Sequence, residues 1–120
     1  MSIYIYICIY ISVYFLLINN KYIVYCILMH SIKRSDIVVV RCYMHDNMKK
    51  DAIKFLCKAI NRYTEEREIA SFIKSHFDCR HHTYWHCIVG KHFDCSVAFE
   101  SAHCILLRVE DYLVLLFKYG

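Results

Sequence analysis

Proline is absent from the 120 residues and glycine occurs twice, at Gly90 and Gly120. With 58% apolar and 22% charged residues, that scarcity excludes a linker-rich or disordered chain. Two isolated glycines also leave no glycine-rich phosphate loop. Charge of one sign is scarce as well. Fifteen Lys and Arg against eleven Asp and Glu give +4, and three of the basic residues, Lys21, Lys33 and Arg34, fall in the first 34, so the remaining 86 residues carry +1. Nucleic-acid binding needs basic residues concentrated on one face, and this balance argues against it. The length fits one domain on the soft prior of ~100 to 200 residues per domain.

What the chain does have is unevenly distributed. Ser2 to Ile18 is uncharged and almost wholly Ile, Tyr, Val, Leu and Phe, and after Asn19, Asn20 and Lys21 the run from Tyr22 to Met29 is apolar again. A spanning helix needs about 20 such residues, in a range of ~17 to 25, so residues 1–34 are marginal as a membrane anchor. They lack a basic start and a small-residue cleavage site, which argues against a secretory signal. If the segment spans, Lys33 and Arg34 favour a cytoplasmic C-terminal side. The Ile-Tyr alternation of residues 3–11 has a period of two and suits a strand or an aggregation-prone segment. Its low complexity equally fits a spurious extension ahead of the true start.

From residue 35 the pattern is that of a folded domain. Asp36 to Arg41 reads as a short strand. Met48, Ala52, Leu56, Ala59, Ile60 and Tyr63 form one stripe of a helix, with Lys49, Lys50, Lys54, Lys58 and Arg62 on the rest of its surface. Asp51 is interleaved among those lysines, so they read as a solvated face rather than a binding face. Thr64 as an N-cap, with Glu65 and Glu66 in the first turn, starts a second helix whose stripe is Ile69, Ala70, Ile73 and Phe77. The short joint makes the two helices antiparallel neighbours. Four runs of β-formers follow: Trp85 to Val89, Phe93 to Phe99, Cys104 to Val109 and Tyr112 to Phe117. Gaps of two to four residues predict a four-stranded antiparallel meander, and the whole is an α+β domain with its helices to one side of the sheet. A domain of 86 residues buries only about 60% of its unfolded surface, which makes a homodimer the natural staple.

Eight cysteines and eight histidines raise two rival chemistries. A disulfide framework is disfavoured without a secretory signal, and Cys42, Cys57 and Cys87 fall inside predicted elements as small apolar residues. A Cys/His metal protein is the sharper alternative, since Cys79, His81, His82, His86, Cys87, His92, Cys95, His103 and Cys104 crowd one stretch. Structural zinc sites pair Cys-x2–4-Cys or His-x3–5-His modules, and His82-x3-His86 with Cys87-x7-Cys95 does not make a matched set. Neighbouring His86 and Cys87 would point to opposite faces of a strand. A cysteine nucleophile at Cys87 with His86 or His103 as base lacks an orienting group and an oxyanion site. The reading is therefore of a protein that is not an enzyme and uses no cofactor.

The run Trp85-His86-Cys87-Ile88-Val89-Gly90-Lys91, then Phe93, Val97, Glu100-Ser101-Ala102-His103 and the closing Leu115-Leu116-Phe117-Lys118-Tyr119-Gly120, resembles the dynein light chain family of cytoplasmic hub proteins. Met48, Asp51-Ala52, Ala59, Tyr63, Glu66, Ile69-Ala70, Ile73-Lys74 and Phe77-Asp78 continue the resemblance upstream, so it spans about residues 35–120. It implies a non-enzymatic homodimer in which the segment Phe93 to Phe99 of each chain pairs into its partner's sheet. Short linear peptides of dynein intermediate chain and of other clients would add as a further strand along that segment. The implied setting is the cytoplasm and the dynein complex of the cytoskeleton, with membrane association only through residues 1–34.

By the same resemblance, Phe93 and Val97 match the groove and interface strand. Glu66 matches the position that helps hold a peptide glutamine, and Arg67 stands where the family has Lys, which changes its hydrogen-bond geometry. His86 matches an interface histidine whose protonation opposes dimerisation; an unperturbed imidazole titrates near pH ~6.5. Departures cluster in the exchanged strand. Asp94 and Cys95 replace a Gly-Ser pair, Ser96 an interface Tyr, Ala98 a groove Thr and Phe99 a groove His, which implies an altered client preference and a weaker dimer. Arg108, Glu110 and Tyr119 replace an aromatic residue, a glycine and a small residue.

Overall fold

The computed structural model describes residues 31–120. A single 3-10 turn, Arg34–Asp36, leads into β1 (Ile37–Cys42), α1 (Asp46–Arg62), α2 (Glu66–His81), β2 (Trp85–Gly90), β3 (Cys104–Val109) and β4 (Tyr112–Lys118). The leader and the expectations attached to it, anchor or spurious extension, lie outside the described residues. Among the described residues no helix is long and apolar enough to cross a membrane.

The two helices form where the 3.6-residue period placed them. Ala52, Leu56, Ala59 and Ile60 of α1 are buried as the stripe requires, and Phe55 joins them because it meets Phe77 of α2 edge to face, ring centroids 5.8 Å apart. Met48 and Tyr63, at the ends of the expected stripe, are half-buried. The Asp51 carboxylate meets Arg80 and His81 at one end of the pair and Tyr63 meets the Phe72 ring at the other, so the helices run antiparallel. The N-cap of α2 is Glu65, one residue beyond Thr64, and no side chain closes it; the Glu65 carbonyl accepts from Ile69 N–H at 3.1 Å.

The α+β class with two helices and a four-stranded antiparallel sheet is as expected, but the order within the sheet differs from a simple meander. It is β1-β3-β4-β2, so β2 pairs with β4 and not with the next strand in sequence. The fourth strand is β1, and the run Phe93 to Phe99 carries no strand. Its residues are used differently: it leaves the plane of the sheet and lies over one face. Both helices cover the opposite face. There Trp85, Ile105, Leu107, Val109, Val114 and Leu116 alternate inward and join the helix stripes in one buried cluster.

Candidate functional site

Strand β4 explains why the sheet has two useful faces. Its burial is continuous from Val114 to Phe117, where a half-solvated strand would alternate. Val114 and Leu116 look toward the helices. Leu115 and Phe117 look the other way, pair with Leu106 and Cys104 across the β3 ladder, and are buried beneath Phe93, Val97 and Phe99. The segment 93–99 crosses this second face from one side of the sheet to the other. Phe93 packs against Gly90 at the end of β2, and Phe99 meets the ring of Tyr43, just after β1, at 5.4 Å between centroids. Only residues 93, 97 and 99 are half-buried, while Asp94, Cys95, Ser96 and Ala98 are exposed.

β2 is an outer strand of the sheet, paired along its whole length with β4. Among the described residues nothing pairs with its other side, which presents a row of backbone donors and acceptors. On the second face of this strand His86 stacks on Phe117, ring centroids 5.2 Å apart and 28° from parallel, and Ile88 is 39% exposed. The Nε2 of His86 lies 3.1 Å from the Tyr119 carbonyl. The expected interface residues His86, Phe93 and Val97 thus share one apolar face beside one unpaired strand edge.

The helix-start pair is arranged more loosely. Glu66 and Arg67 are both exposed in the first turn of α2. Glu66 is close enough to Lys91, just past β2, to help raise its pKa, though the larger causes there are the hydrogen bond and the charge of Asp111, 3.4 Å away. Glu66 therefore sits by the exit of the unpaired edge, and the structure gives Arg67 a place beside it on the surface. Leu106, Leu115, Phe117 and Ile88 also build the face, and spacing hid them. β4 is apolar on both sides, so period-two reading marks all of it as core.

The same strand carries His86 and Cys87, two of the residues weighed for a metal or a nucleophile. His86 and Cys87 point to opposite faces: His86 is exposed over Phe117, and Cys87 packs into the helix-covered core. Burial pushes the Cys87 thiol up to about 12, and burial first, then the charges of Cys95 and Cys42, pushes Cys104 up to about 11. Such thiols are protonated at neutral pH and make poor nucleophiles. Among the described residues no three of His, Cys, Asp and Glu gather into a metal-holding group.

The described residues thus form a two-helix, four-stranded α+β unit with an unpaired sheet edge beside an apolar face. The family model for dynein light chain type 1 matches residues 36–119. A dynein light chain of Schistosoma mansoni is 40% identical over 83 residues, covering 69% of this chain and 93% of that one. The chain belongs to the dynein light chain family. Its fold is similar to two crystal structures of the dynein light chain-like domain of Fasciola hepatica calcium binding protein FhCaBP2, a mercury derivative and a native P6422 form. Each has a TM-score of 0.60 and 16% identity over 76% of this chain, with 98% and 100% of the other chain covered.

Proposed function

We propose that the protein is a dimeric, non-enzymatic peptide-binding hub that takes short linear segments by β-strand addition. One observation carries the reading. Among the described residues β2 has an unpaired side and the segment 93–99, rich in β-formers, has no strand partner, so these residues contain two halves of a strand pairing that they do not make with each other. Two copies related by a two-fold axis satisfy both, with 93–99 of each pairing to β2 of the other. The apolar face now lined by Phe93, Val97, Leu115 and Phe117 then becomes shared interface, and the outer side of 93–99 becomes the edge a client strand joins.

In this arrangement Phe93 and Val97 belong to the groove and interface, His86 to the interface, and Glu66 and Arg67 to the groove rim. Backbone hydrogen bonds supply affinity that tolerates sequence, and the rim sets preference. The clients are dynein intermediate chain and other linear-motif proteins, the setting is cytoplasmic and cytoskeletal, and residues 35–120 form the working domain. Two grooves per dimer favour linked or dimeric clients through effective concentration. Titrating the chain with a fluorescent peptide centred on a glutamine motif tests the proposal. Saturable binding with one peptide per chain is expected, and a folded dimer that binds none contradicts it.

A further inference from the structure

The cations of α1 do not all face open water. Lys54, Lys58 and Arg62 recur at intervals of four and stack along one side of the helix, about 6 Å apart along its axis and about 12 Å from first to last. Glu65, Glu68 and Phe72 recur at intervals of three and four at the start of α2 and share one side of it. Both rows line one concave cavity of about 1020 Å³, with Arg34 as a fourth cation. Among the described residues none of these six charged side chains is in an ion pair, so a basic row and an acidic row lie along one groove without neutralising each other.

The groove also has an aromatic lining. Tyr63 and Phe72 are both half-buried and meet at 5.8 Å between ring centroids. A smaller hollow of about 370 Å³ shares Tyr63, Glu68 and Phe72 with the cavity and continues to Ser75 and His76, so the depression is elongated along α2. The neutral polar groups of the cavity are already engaged. Ile32 N–H donates to Asn61 Oδ1 at 2.8 Å, Asn61 Nδ2 donates back to the Ile32 carbonyl at 2.7 Å, and Cys57 Sγ adds a bond to that carbonyl at 3.3 Å. The two charged rows and the two rings are therefore what a guest would meet.

We propose that this groove binds an amphipathic α-helix of a partner protein, with acids at four-residue intervals on Lys54, Lys58 and Arg62, a base on Glu65 and Glu68, and an apolar side chain on the rings of Tyr63 and Phe72. Such a helix repeats the ~6 Å step of the basic row. A nucleic acid would meet two carboxylates of its own sign. Small-molecule sites are mostly apolar, whereas this depression is elongated and charged. A second copy does not supply the helix, because α1 offers only Asp46 and Asp51 and α2 only Glu66, Glu68 and Asp78, none of them four residues apart. The groove belongs to the helix layer, opposite the face of Phe93, Val97 and Phe117, and does not compete with the unpaired edge. The inference does not depend on the hub reading.

Fluorescence anisotropy of the full chain with two labelled, alanine-rich peptides of about 18 residues, long enough to be helical, tests it. One carries three Glu at four-residue intervals, a Leu and a flanking Lys; the other has the same composition with its three Glu consecutive. The wild type is expected to bind the first more tightly, and added salt to weaken that binding. K58Q/R62Q is expected to bind it about tenfold less tightly, near threefold for each exposed ion pair lost. K58R/R62K, with the charges kept, is expected to behave as wild type and controls for folding. Equal affinity of wild type for the two peptides, or a K58Q/R62Q variant that keeps the preference, would overturn the proposal. So would a wild type that binds neither peptide yet retains a labelled RNA oligonucleotide through Lys58 and Arg62. Titration of K58Q/R62Q with the glutamine-motif peptide is expected to match wild type, so the groove and the hub fail separately.

Discussion

His86 and Phe117 face each other across the β2–β4 pair, their rings stacked at 5.2 Å on the face of the sheet that the helices leave uncovered. In a strand-exchanged dimer this stack lies within the interface, where a charged imidazole is costly. The neighbouring charge is Asp78, whose pKa responds to His86. A fixed positive charge at position 86 is therefore expected to weaken the proposed dimer. His86→Lys should give monomers at pH 7, as read by size-exclusion chromatography with light scattering.

Asp78 ties α2 to the start of β2. Its Oδ1 accepts from Trp85 N–H at 2.8 Å, and its other oxygen pairs with Lys74 one turn earlier. Burial pushes this carboxyl up, but the Lys74 and Trp85 hydrogen bonds with the charges of Lys74 and His86 outweigh it and hold the pKa below 3.8. A depressed carboxylate stabilises the fold above its unfolded value and loses that contribution as pH falls through the lower folded value. Asp78→Ala should cost about 1–2 kcal/mol at pH 7, mostly by stranding the Trp85 N–H. The deficit should shrink in urea melts repeated below pH ~4.

Glu110 occupies the first position of the two-residue turn between Val109 and Tyr112 with a φ of 53°, where glycine is unstrained. Glu110→Gly should raise stability by up to about 1 kcal/mol, or a Tm gain of roughly 4–8 °C, without touching the second face. A lower Tm by calorimetry would contradict the strain assigned to Glu110.

The thiols sort by environment. Cys79 on α2 is exposed, whereas Cys87 and Cys104 are held up by burial. Iodoacetamide at pH 8 followed by peptide mass mapping should label Cys79 early and Cys87 and Cys104 only on unfolding. Fast labelling of Cys87 in the native protein would reopen the nucleophile reading.

The helices were legible in the sequence because their stripes are unbroken, and β1, β2, β3 and β4 because their runs are bounded by turn residues. Phe55 was not, since it lies off the α1 stripe and is buried by α2 rather than by the sheet. The segment 93–99 reads as a strand from composition and is none in a single chain. Strand formation needs a partner edge, and which edge is free depends on the non-local pairing of β2 with β4, which period and propensity do not encode. The expected site residues came from family resemblance and not from spacing, while the apolar floor of Leu106, Leu115 and Phe117 was hidden by the two-sided burial of β4.

The proposed hub requires residues 93–99 of one chain to pair with residues 85–90 of another. Isotope-filtered NMR on a mixture of labelled and unlabelled chains observes that pairing directly. Interchain backbone contacts between the two segments, lost on His86→Lys, are the expected result. Contacts of 93–99 confined to its own chain at high concentration and neutral pH would contradict it.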